Sequence, residues 1–317
     1  MWPPTSQPKS YQQHLKRSLH PSLQAPIVKY TVGSNWDTSA TPFEAAQKAA
    51  MLISELHKGP VHIPLSGGVD SEAMARSFIA AGIPIIPVIT KFENGFNEFD
   101  TVWAEEFCDS FKLQPKILNL DVEDFFETGS HLVYASEYGC RSPQLATHLW
   151  LADQIVEPLI FPYNPLPLLQ TPENKIYISF PPDLYLCYDR YFEKTKKPGL
   201  GLFFLYTPEL IYSFFKLELY SEMLFDYDRF CMKYSPNLYL IKCELYRAGG
   251  FDVIPRGEKA TGFELFRKYL NKKHNFESSD YFDEKFRRPM EEMVKDPKLI
   301  SIGDVDLKSL YEKWIDI

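Results

Sequence analysis

The chain has 317 residues, of which 45% are hydrophobic and 15% aromatic, and it carries a formal net charge of -8. This length suits one large domain or two smaller ones, and the hydrophobic content argues against a disordered chain. The negative charge gives no electrostatic basis for nucleic acid as the principal partner. The five cysteines are an odd number without a CxxC pair, which argues against a disulfide framework and favours a cytoplasmic location. No apolar run is long enough to span a membrane and no signal peptide is evident, so we expect a soluble chain without a membrane partner.

The first half of the chain alternates between helical and strand patterns. Residues 1–40 are rich in Pro, Ser, Gln and Thr and predict an N-terminal arm, with Ile27–Val32 as an edge strand. Strands that alternate with helices predict parallel βαβ units and therefore an α/β fold with a doubly wound parallel sheet. The elements expected next are a helix from Thr41 to about Leu56, a strand over Val61–Leu65, a helix that ends before Gly82, a strand over Ile83–Ile89, a helix over Phe99–Phe111 and a strand over Lys116–Leu120.

The second half has a different character. A helix is expected from Ser142-Pro143 to about Val156, and either Pro158–Tyr163 or Lys175–Phe180 supplies a fourth strand. We expect a core over residues 41–167 and a mostly helical C-terminal lobe over residues 168–317 that folds back over the core. Beyond about Pro167 no further strand is expected, and the candidate helices are Pro208–Tyr220, Leu238–Ala248, Gly262–Leu270 and Phe282–Val294.

The most informative stretch is the turn after the first core strand, where Ser66-Gly67-Gly68 leads directly into a helix. A helix N-terminus and a glycine-rich turn together aim several backbone N–H groups at one point, and glycines let the backbone approach a ligand closely. Ser66 and Ser71 add hydroxyl donors. Asp70 would repel an anion unless a divalent cation bridged it to a phosphate. The pattern therefore predicts a nucleotide triphosphate site, and a turn that merely joins strand to helix is the alternative.

Ser66-Gly67-Gly68-Val69-Asp70-Ser71 resembles the SGGxDS signature of the PP-loop, or N-type, ATP pyrophosphatase superfamily, whose members cleave ATP between the α- and β-phosphates. The resemblance implies a HUP, or adenine nucleotide alpha hydrolase-like, fold with ATP and Mg²⁺ as cofactors. It also implies that the turn holds the β- and γ-phosphates and that Asp70 helps to hold the metal. Backbone groups near Leu65 and Ile89 would read the adenine. The rival phosphate loop, GxxxxGK[ST], is absent.

A second stretch, Lys242–Glu264, resembles the end of the asparagine-synthetase C-terminal domain, where a lysine-bearing helix precedes an R-x-K-x-g-f-like segment. The resemblance implies that Lys259 contacts the phosphates or the reacting intermediate, and that Arg256 serves in the same cationic loop. Such a loop can stabilise the charge that develops as pyrophosphate leaves. The spacing from Arg256 to Lys259 is one residue longer than the family pattern. An exposed basic loop is the alternative.

The chain also departs from that family. The G-x-G-x-D-E-type element that supplies a metal-binding Asp and a substrate-reading Glu in that family is missing from Pro158–Leu169, and Asp183 and Asp189 are the candidate substitutes. Residue 2 is Trp and not the leading cysteine of a glutaminase domain, so we expect ammonia, another amine or a partner subunit to supply the nucleophile.

Three further polar positions lie where a doubly wound sheet places its ligands. Arg141 precedes a helix N-terminus and could hold a phosphate or a substrate carboxylate, with a solvated surface arginine as an equal alternative. Asn97 and Asp100 follow the second core strand, and we expect them to cap a helix rather than serve the site.

The expected function is adenylation of a small-molecule carboxylate or amide, with release of pyrophosphate, followed by attack of ammonia or an amine to form an amide or C–N bond. One alternative is a PP-loop enzyme that modifies a nucleobase or a tRNA or DNA precursor, although the paired cysteines common in such enzymes are absent. The other is a nucleotide-binding module that has lost turnover. The sequence leaves open whether the chain forms a homo-oligomer.

Overall fold

The structure is a computed structural model that describes residues 15–19, 26–30, 39–56, 59–162, 168–170, 176–178, 182–219, 238–256, 262–276 and 280–294. The strands in these ranges are β1 (Leu15–Leu19), β2 (Pro26–Tyr30), β3 (Val61–Pro64), β4 (Ile85–Phe92), β5 (Lys116–Leu120), β6 (Leu159–Ile160), β7 (Leu168–Gln170), β8 (Ile176–Ile178) and β9 (Gly199–Leu200).

Five of these strands form one parallel sheet in the order β5-β4-β3-β6-β9. Along the chain, β4 and β5 are added in turn on one side of β3, and β6 and β9 are then added on the other side. The strand order therefore reverses between β3 and β6. In open parallel sheets such a reversal leaves a crevice at the carboxyl ends of the strands, and this is where ligands bind. The α/β fold with a parallel sheet is confirmed.

Helices cover both faces of the sheet, because side chains of β4 that point to opposite faces are buried in different clusters. Ile85 and Ile89 of β4 belong to one buried cluster, whereas Val88 and Phe92 belong to a second. The helices of the described ranges are α1 (Pro42–Glu55), α2 (Val69–Ala80), α3 (Glu98–Ser110), α4 (Val122–Glu127), α5 (Ser130–Tyr138), α6 (Pro143–Asp153), α7 (Pro182–Thr195), α8 (Pro208–Phe215), α9 (Leu238–Ala248), α10 (Gly262–Lys273) and, after a π-helical turn over Asp283–Arg287, α11 (Arg288–Met293). The first cluster includes residues of α1, α2, α3, α8 and α9, and the second includes residues of α4, α5, α6, α7, α10 and α11.

The second core strand lies further along the chain than expected, at Ile85–Phe92 instead of Ile83–Ile89. Pro87 is tolerated inside it for a geometric reason. The carbonyls of Pro84 and Val88 accept hydrogen bonds from the N–H groups of Val61 and Leu65, on the β3 side of the strand. Backbone groups alternate in direction along a strand, so the backbone nitrogen of Pro87 faces β5 instead. Pairing with β5 begins only at Val88, and the missing N–H of Pro87 therefore removes no bond between these strands.

The fourth strand is β6, which confirms the first of the two alternatives, because Ile176–Ile178 pairs instead with β7 in a separate antiparallel ribbon. The expectation of no strand beyond Pro167 is wrong, since β7, β8 and β9 all follow it. A two-residue strand such as β9 is too short to give a periodic signal. The division of the chain at residue 167 stays a prediction, although β9 adds a strand to the core sheet.

The N-terminal edge strand expected over Ile27–Val32 overlaps β2, which pairs antiparallel with β1 rather than with the main sheet. Within the described parts of the chain, no helix is both long and apolar enough to cross a membrane.

Candidate nucleotide-binding site

The turn after β3 lies at the carboxyl end of the central strand, beside the point where the strand order reverses. All four residues of β3 are buried, and the Leu65 N–H extends the parallel pairing by donating to Val88 O at 2.8 Å. Ser66, by contrast, is exposed. Gly67 and Gly68, which follow it, are buried. The exposed Ser66 therefore marks the point where the turn reaches the edge of the sheet at which ligands of this fold class bind.

Gly67 is a position that only glycine can occupy without a rearrangement. Its φ is +76°, and an added Cβ would lie 1.9 Å from the backbone carbonyl oxygen of Asp100. The start of α3 therefore packs directly on the turn. The absence of a side chain at Gly67 is required by this packing, whether or not a ligand also approaches.

The amino end of α2 has no side-chain cap. Gly68 is its N-cap residue, has extended backbone angles and makes no side-chain capping bond. The two serines are engaged locally. Ser66 Oγ accepts from the Gly68 N–H at 3.3 Å, while the buried Ser71 hydroxyl donates to the Gly68 carbonyl at 2.8 Å. The Ser66 hydroxyl therefore still has its hydrogen to donate to a ligand, whereas the hydrogen of the Ser71 hydroxyl is used in a bond that stabilises the turn.

Asp70 is held by two side chains of α9. Lys242 Nζ lies 2.8 Å from Asp70 Oδ2, and the Tyr246 hydroxyl donates to Oδ1 at 2.8 Å. Burial, and then the neighbouring carboxylate, raise the pKa of Tyr246 well above its ordinary value, so the phenol keeps the proton that it donates. Lys242 and Tyr246 are one helical turn apart and therefore share a face of α9.

Arg256 also contacts the turn. Its guanidinium donates to the Gly67 carbonyl, pairs with Glu72 of α2 and lies 5.4 Å from the centre of the Trp103 ring. Both Arg256 and Glu72 are buried, at 7% and 2% exposure. Glu72 also pairs with Arg76 at 2.8 Å. Arg256 was expected to act on phosphate, but its contacts here are with the protein, and one donor, Nε, lacks a partner among the described residues.

The residues expected to read the adenine are both buried within the sheet. Leu65 already uses its N–H in the pairing with Val88, and Ile89 pairs with Ile117 inside β4. Because β4 continues to Phe92, Ile89 does not lie at the end of its strand. Backbone groups beyond Phe92 occupy the position that the sequence had assigned to Ile89.

The remaining predicted residues are not gathered at the turn. Lys259 belongs to residues 257–261, outside the described residues, so its role stays a prediction. Arg141 donates to the Val294 carbonyl at 2.7 Å and lines a separate cavity. The side chain of Asp183 also lies outside the described residues, and Asp189 is a half-buried residue of α7.

Asn97 does not cap α3 through its side chain. It occupies the N-cap position, but its side chain binds the end of β4, accepting from the Phe92 N–H at 2.8 Å and donating to Thr90 O at 2.9 Å. The expectation of capping is wrong for Asn97, because its side chain instead satisfies the unpaired backbone at the end of a strand. Asp100 lies in the first turn of α3, with its backbone against Gly67, and its capping role stays a prediction.

Magnesium fits the described residues poorly. Each oxygen of Asp70 already accepts from one protein donor, and one of these donors is an ammonium group that offsets the carboxylate charge. No set of three His, Cys, Asp or Glu residues suited to a metal ion occurs in the described ranges. The metal expected at Asp70 would have to displace Lys242 from that carboxylate.

A comparison of the chain with protein-family models found no match, and neither did a comparison with curated proteins. The geometry of the turn is therefore what supports a binding site here. Sequence reasoning missed Lys242, Tyr246 and Glu72 as neighbours of the turn. The spacing of four between Lys242 and Tyr246 indicates a shared helical face, but nothing in one sequence shows that this face meets Asp70.

Proposed function

We propose that the Ser66–Ser71 turn binds the triphosphate of ATP and that the chain is an AMP-forming ligase of the ATP pyrophosphatase type. The observation that carries the proposal is the position of the turn. It joins the central strand β3 to the uncapped amino end of α2, beside the reversal of strand order. A helix N-terminus at this point of a parallel sheet favours a phosphate group.

One cation of the C-terminal half supports the same assignment, and a second one holds the turn in place. Lys242 contacts Asp70 in the first turn of α2, and Arg256 donates to the Gly67 carbonyl, although they lie 172 and 189 positions further along the chain than these partners. Lys242 has a partly exposed side chain at 18%, so its ammonium can exchange the Asp70 carboxylate for a phosphate oxygen. Lys259 is a further candidate cation in the adjoining loop.

The proposed reaction has two steps. An oxygen of a carboxylate or amide substrate attacks the α-phosphorus of ATP, the bond to the β-phosphate oxygen breaks, and pyrophosphate leaves. Ammonia or an amine then attacks the activated carbon, loses a proton and displaces AMP, which leaves a new C–N bond. Donors fixed around the turn stabilise the negative charge that develops on the departing pyrophosphate. No step is assigned to magnesium at Asp70, where the described residues fit it poorly; magnesium enters the proposal as the ion that accompanies ATP.

A catalytically inactive nucleotide-binding module is the second candidate, and the Asp70–Lys242 pair favours it. A carboxylate that is neutralised by an ammonium provides little charge for a metal ion, and metal chemistry is what the resemblance implies for turnover. The alternative of nucleobase modification has no observation of its own among the described contacts. A cytoplasmic location stays part of the proposal, and the described cysteines are unbridged and buried.

A pyrophosphate-release assay separates these functions. The full chain is incubated with ATP, with and without Mg²⁺, against pooled amino acids and carboxylates with ammonia, and separately against tRNA or DNA. Release that depends on a small molecule supports the ligase, and release only with nucleic acid supports base modification. ATP binding by calorimetry without any release supports the inactive module. If ATP does not bind at all, the proposal is wrong.

A further inference from the structure

A second concave site lies at the amino end of α6. A cavity of about 430 Å³ is bounded by the first turn of α6, by α10, and by the segment that comprises the π-helical turn and α11. None of its lining residues belongs to the Ser66–Ser71 turn. This volume is within the range of pockets that hold small organic molecules.

Three arginines and two acidic residues line the cavity, and the acidic residues are already paired. Asp283 pairs with Arg267 and, at 3.7 Å, with Arg287. Glu291 pairs with Arg287 at 2.9 Å. Arg267 has a further partner outside the wall, Asp280 at 3.0 Å. Both carboxylates of the cavity wall are therefore ion-paired with Arg267 or Arg287.

Arg141 is the third arginine, and its charge is not balanced in this way. Its NH2 group donates to the backbone carbonyl of Val294 at 2.7 Å, and none of the described carboxylates lies within ion-pair distance of it. Three carboxylates, Asp280, Asp283 and Glu291, pair with Arg267 and Arg287, and the guanidinium of Arg141 is left without a described carboxylate partner. The first turn of α6 adds to this field because Ser142, its N-cap residue, makes no side-chain capping bond.

The rest of the wall includes two aromatic rings. Phe263 and Phe282 lie with their ring centres 5.7 Å apart at an angle of 69°, which forms an apolar corner beside the arginines. A site with one uncompensated guanidinium and an apolar corner suits a monoanion that carries a hydrophobic group. A phosphate would bring close to two negative charges and no apolar surface.

We propose that this cavity binds a small organic carboxylate, whose anionic group pairs with Arg141 and whose apolar part packs against Phe263 and Phe282. The proposal is independent of the nucleotide site, because binding is measured on the full chain without ATP. A failure of ATP to bind would therefore overturn the proposed function and leave this inference standing.

The test uses 3-phenylpropionate and its uncharged amide as probes, with binding followed by ligand-observed NMR. We expect saturable binding of the acid, weaker binding of the amide, and a loss of affinity of about tenfold or more in Arg141→Gln. The matched control is Arg247→Gln, an exposed arginine of α9 outside the cavity wall, which should bind the acid as the wild type does. Equal binding of acid and amide, unchanged affinity in Arg141→Gln, or no saturation up to about 10 mM would overturn the proposal.

A second variant guards against a folding defect, because Arg141 also holds the end of α11 through Val294. Gln144→Glu places a carboxylate in the cavity wall at an exposed position in the first turn of α6, where an acidic residue favours the helix. It should weaken binding of the acid without lowering the melting temperature. Inorganic phosphate serves as a competitor: failure to displace the acid supports the carboxylate assignment, and displacement at similar concentration contradicts it.

Discussion

Lys242 and Asp70 are 172 positions apart in the sequence, yet the lysine ammonium lies 2.8 Å from the aspartate carboxylate. Tyr246 donates to the other carboxylate oxygen, so α9 is joined to the amino end of α2 by two contacts with one side chain. An anion bound at the turn would compete with Asp70 for the same ammonium. This relationship places a charged group of the C-terminal half beside the proposed phosphate site.

Replacing Lys242 with Met should weaken ATP binding by about tenfold or more, because a charge-assisted hydrogen bond is lost and Asp70 is left to repel the phosphates. Isothermal titration calorimetry gives the affinity directly. Lys268→Met is the control, since Lys268 is an exposed lysine of α10. Equal affinities in the two variants would remove Lys242 from the site.

Asp70→Asn tests the expected metal role. The amide still accepts from Tyr246, so the fold should remain intact. Because both oxygens of Asp70 already accept from protein donors, we expect Mg²⁺-dependent cleavage of ATP to persist in the variant. In the absence of Mg²⁺, ATP should bind at least as tightly as to the wild type, because Lys242 is released from its carboxylate partner. Loss of Mg²⁺-dependent pyrophosphate release in a folded variant would contradict this and restore Asp70 as a metal ligand.

Arg256 and Glu72 form a buried ion pair, and removing Arg256 leaves the Glu72 carboxylate with Arg76 as its remaining ion-pair partner among the described residues. We expect Arg256→Met to lower the free energy of unfolding in urea titrations by about 1.5–3 kcal/mol, the cost of losing a hydrogen bond to a charged group. Arg288→Gln is the control, because Arg288 pairs with Glu284 at 64% side-chain exposure, where an ion pair contributes less than about 1 kcal/mol. A cost for Arg256→Met as small as that of the control would contradict a structural role for this pair.

Gly67→Ala should be strongly destabilising, because the new methyl group meets the Asp100 carbonyl and the residue has a positive φ. Gly82→Ala provides a matched control, since Gly82 has a φ of +71° but open space where the Cβ would lie. The φ penalty alone is about 1–2 kcal/mol, and the clash adds roughly 1–3 kcal/mol at Gly67. Urea unfolding that gives equal costs for the two variants would argue against the close approach of α3 to the turn.

Stability should fall on mild acidification because of His131. Burial lowers the pKa of His131 from 6.5 to about 4, and the side chain is 1% exposed. Between these two values the unfolded chain binds a proton that the folded chain does not, so unfolding is favoured as the pH falls from 6.5 to 4, by up to about 3 kcal/mol. Urea titrations at several pH values should show this slope, and His131→Leu should reduce it. If the free energy of unfolding depends on pH equally in the variant and the wild type, a group other than His131 causes the effect.

The sequence predicted the helices and strands around the turn within a few residues, because Thr41-Pro42 and the apolar run Val61–Leu65 are strong local signals. It failed where tertiary context decides the structure. Pro87 lies inside β4 only because its neighbour strand begins one residue later, and β9 is a strand of two residues that exists through its pairing with β6.

The candidate site was predictable in part. The turn itself could be predicted from local sequence, since two glycines between an apolar strand and a helix strongly favour a tight turn. Its long-range neighbours do not follow, because the contacts of Lys242 and Arg256 depend on how segments more than 170 positions apart pack together. Arg256 shows the difference most clearly: the sequence assigned it to phosphate, and the structure places it against Gly67 and Glu72.

Hydrogen–deuterium exchange with and without ATP tests the central claim most directly, because it reports on the backbone amides of the turn. The account predicts slower exchange in peptides that cover Ser66–Ser71 when ATP is added, with little change in peptides from α5 or α10. Unchanged exchange at the turn at saturating ATP, or protection confined to another part of the chain, would contradict it.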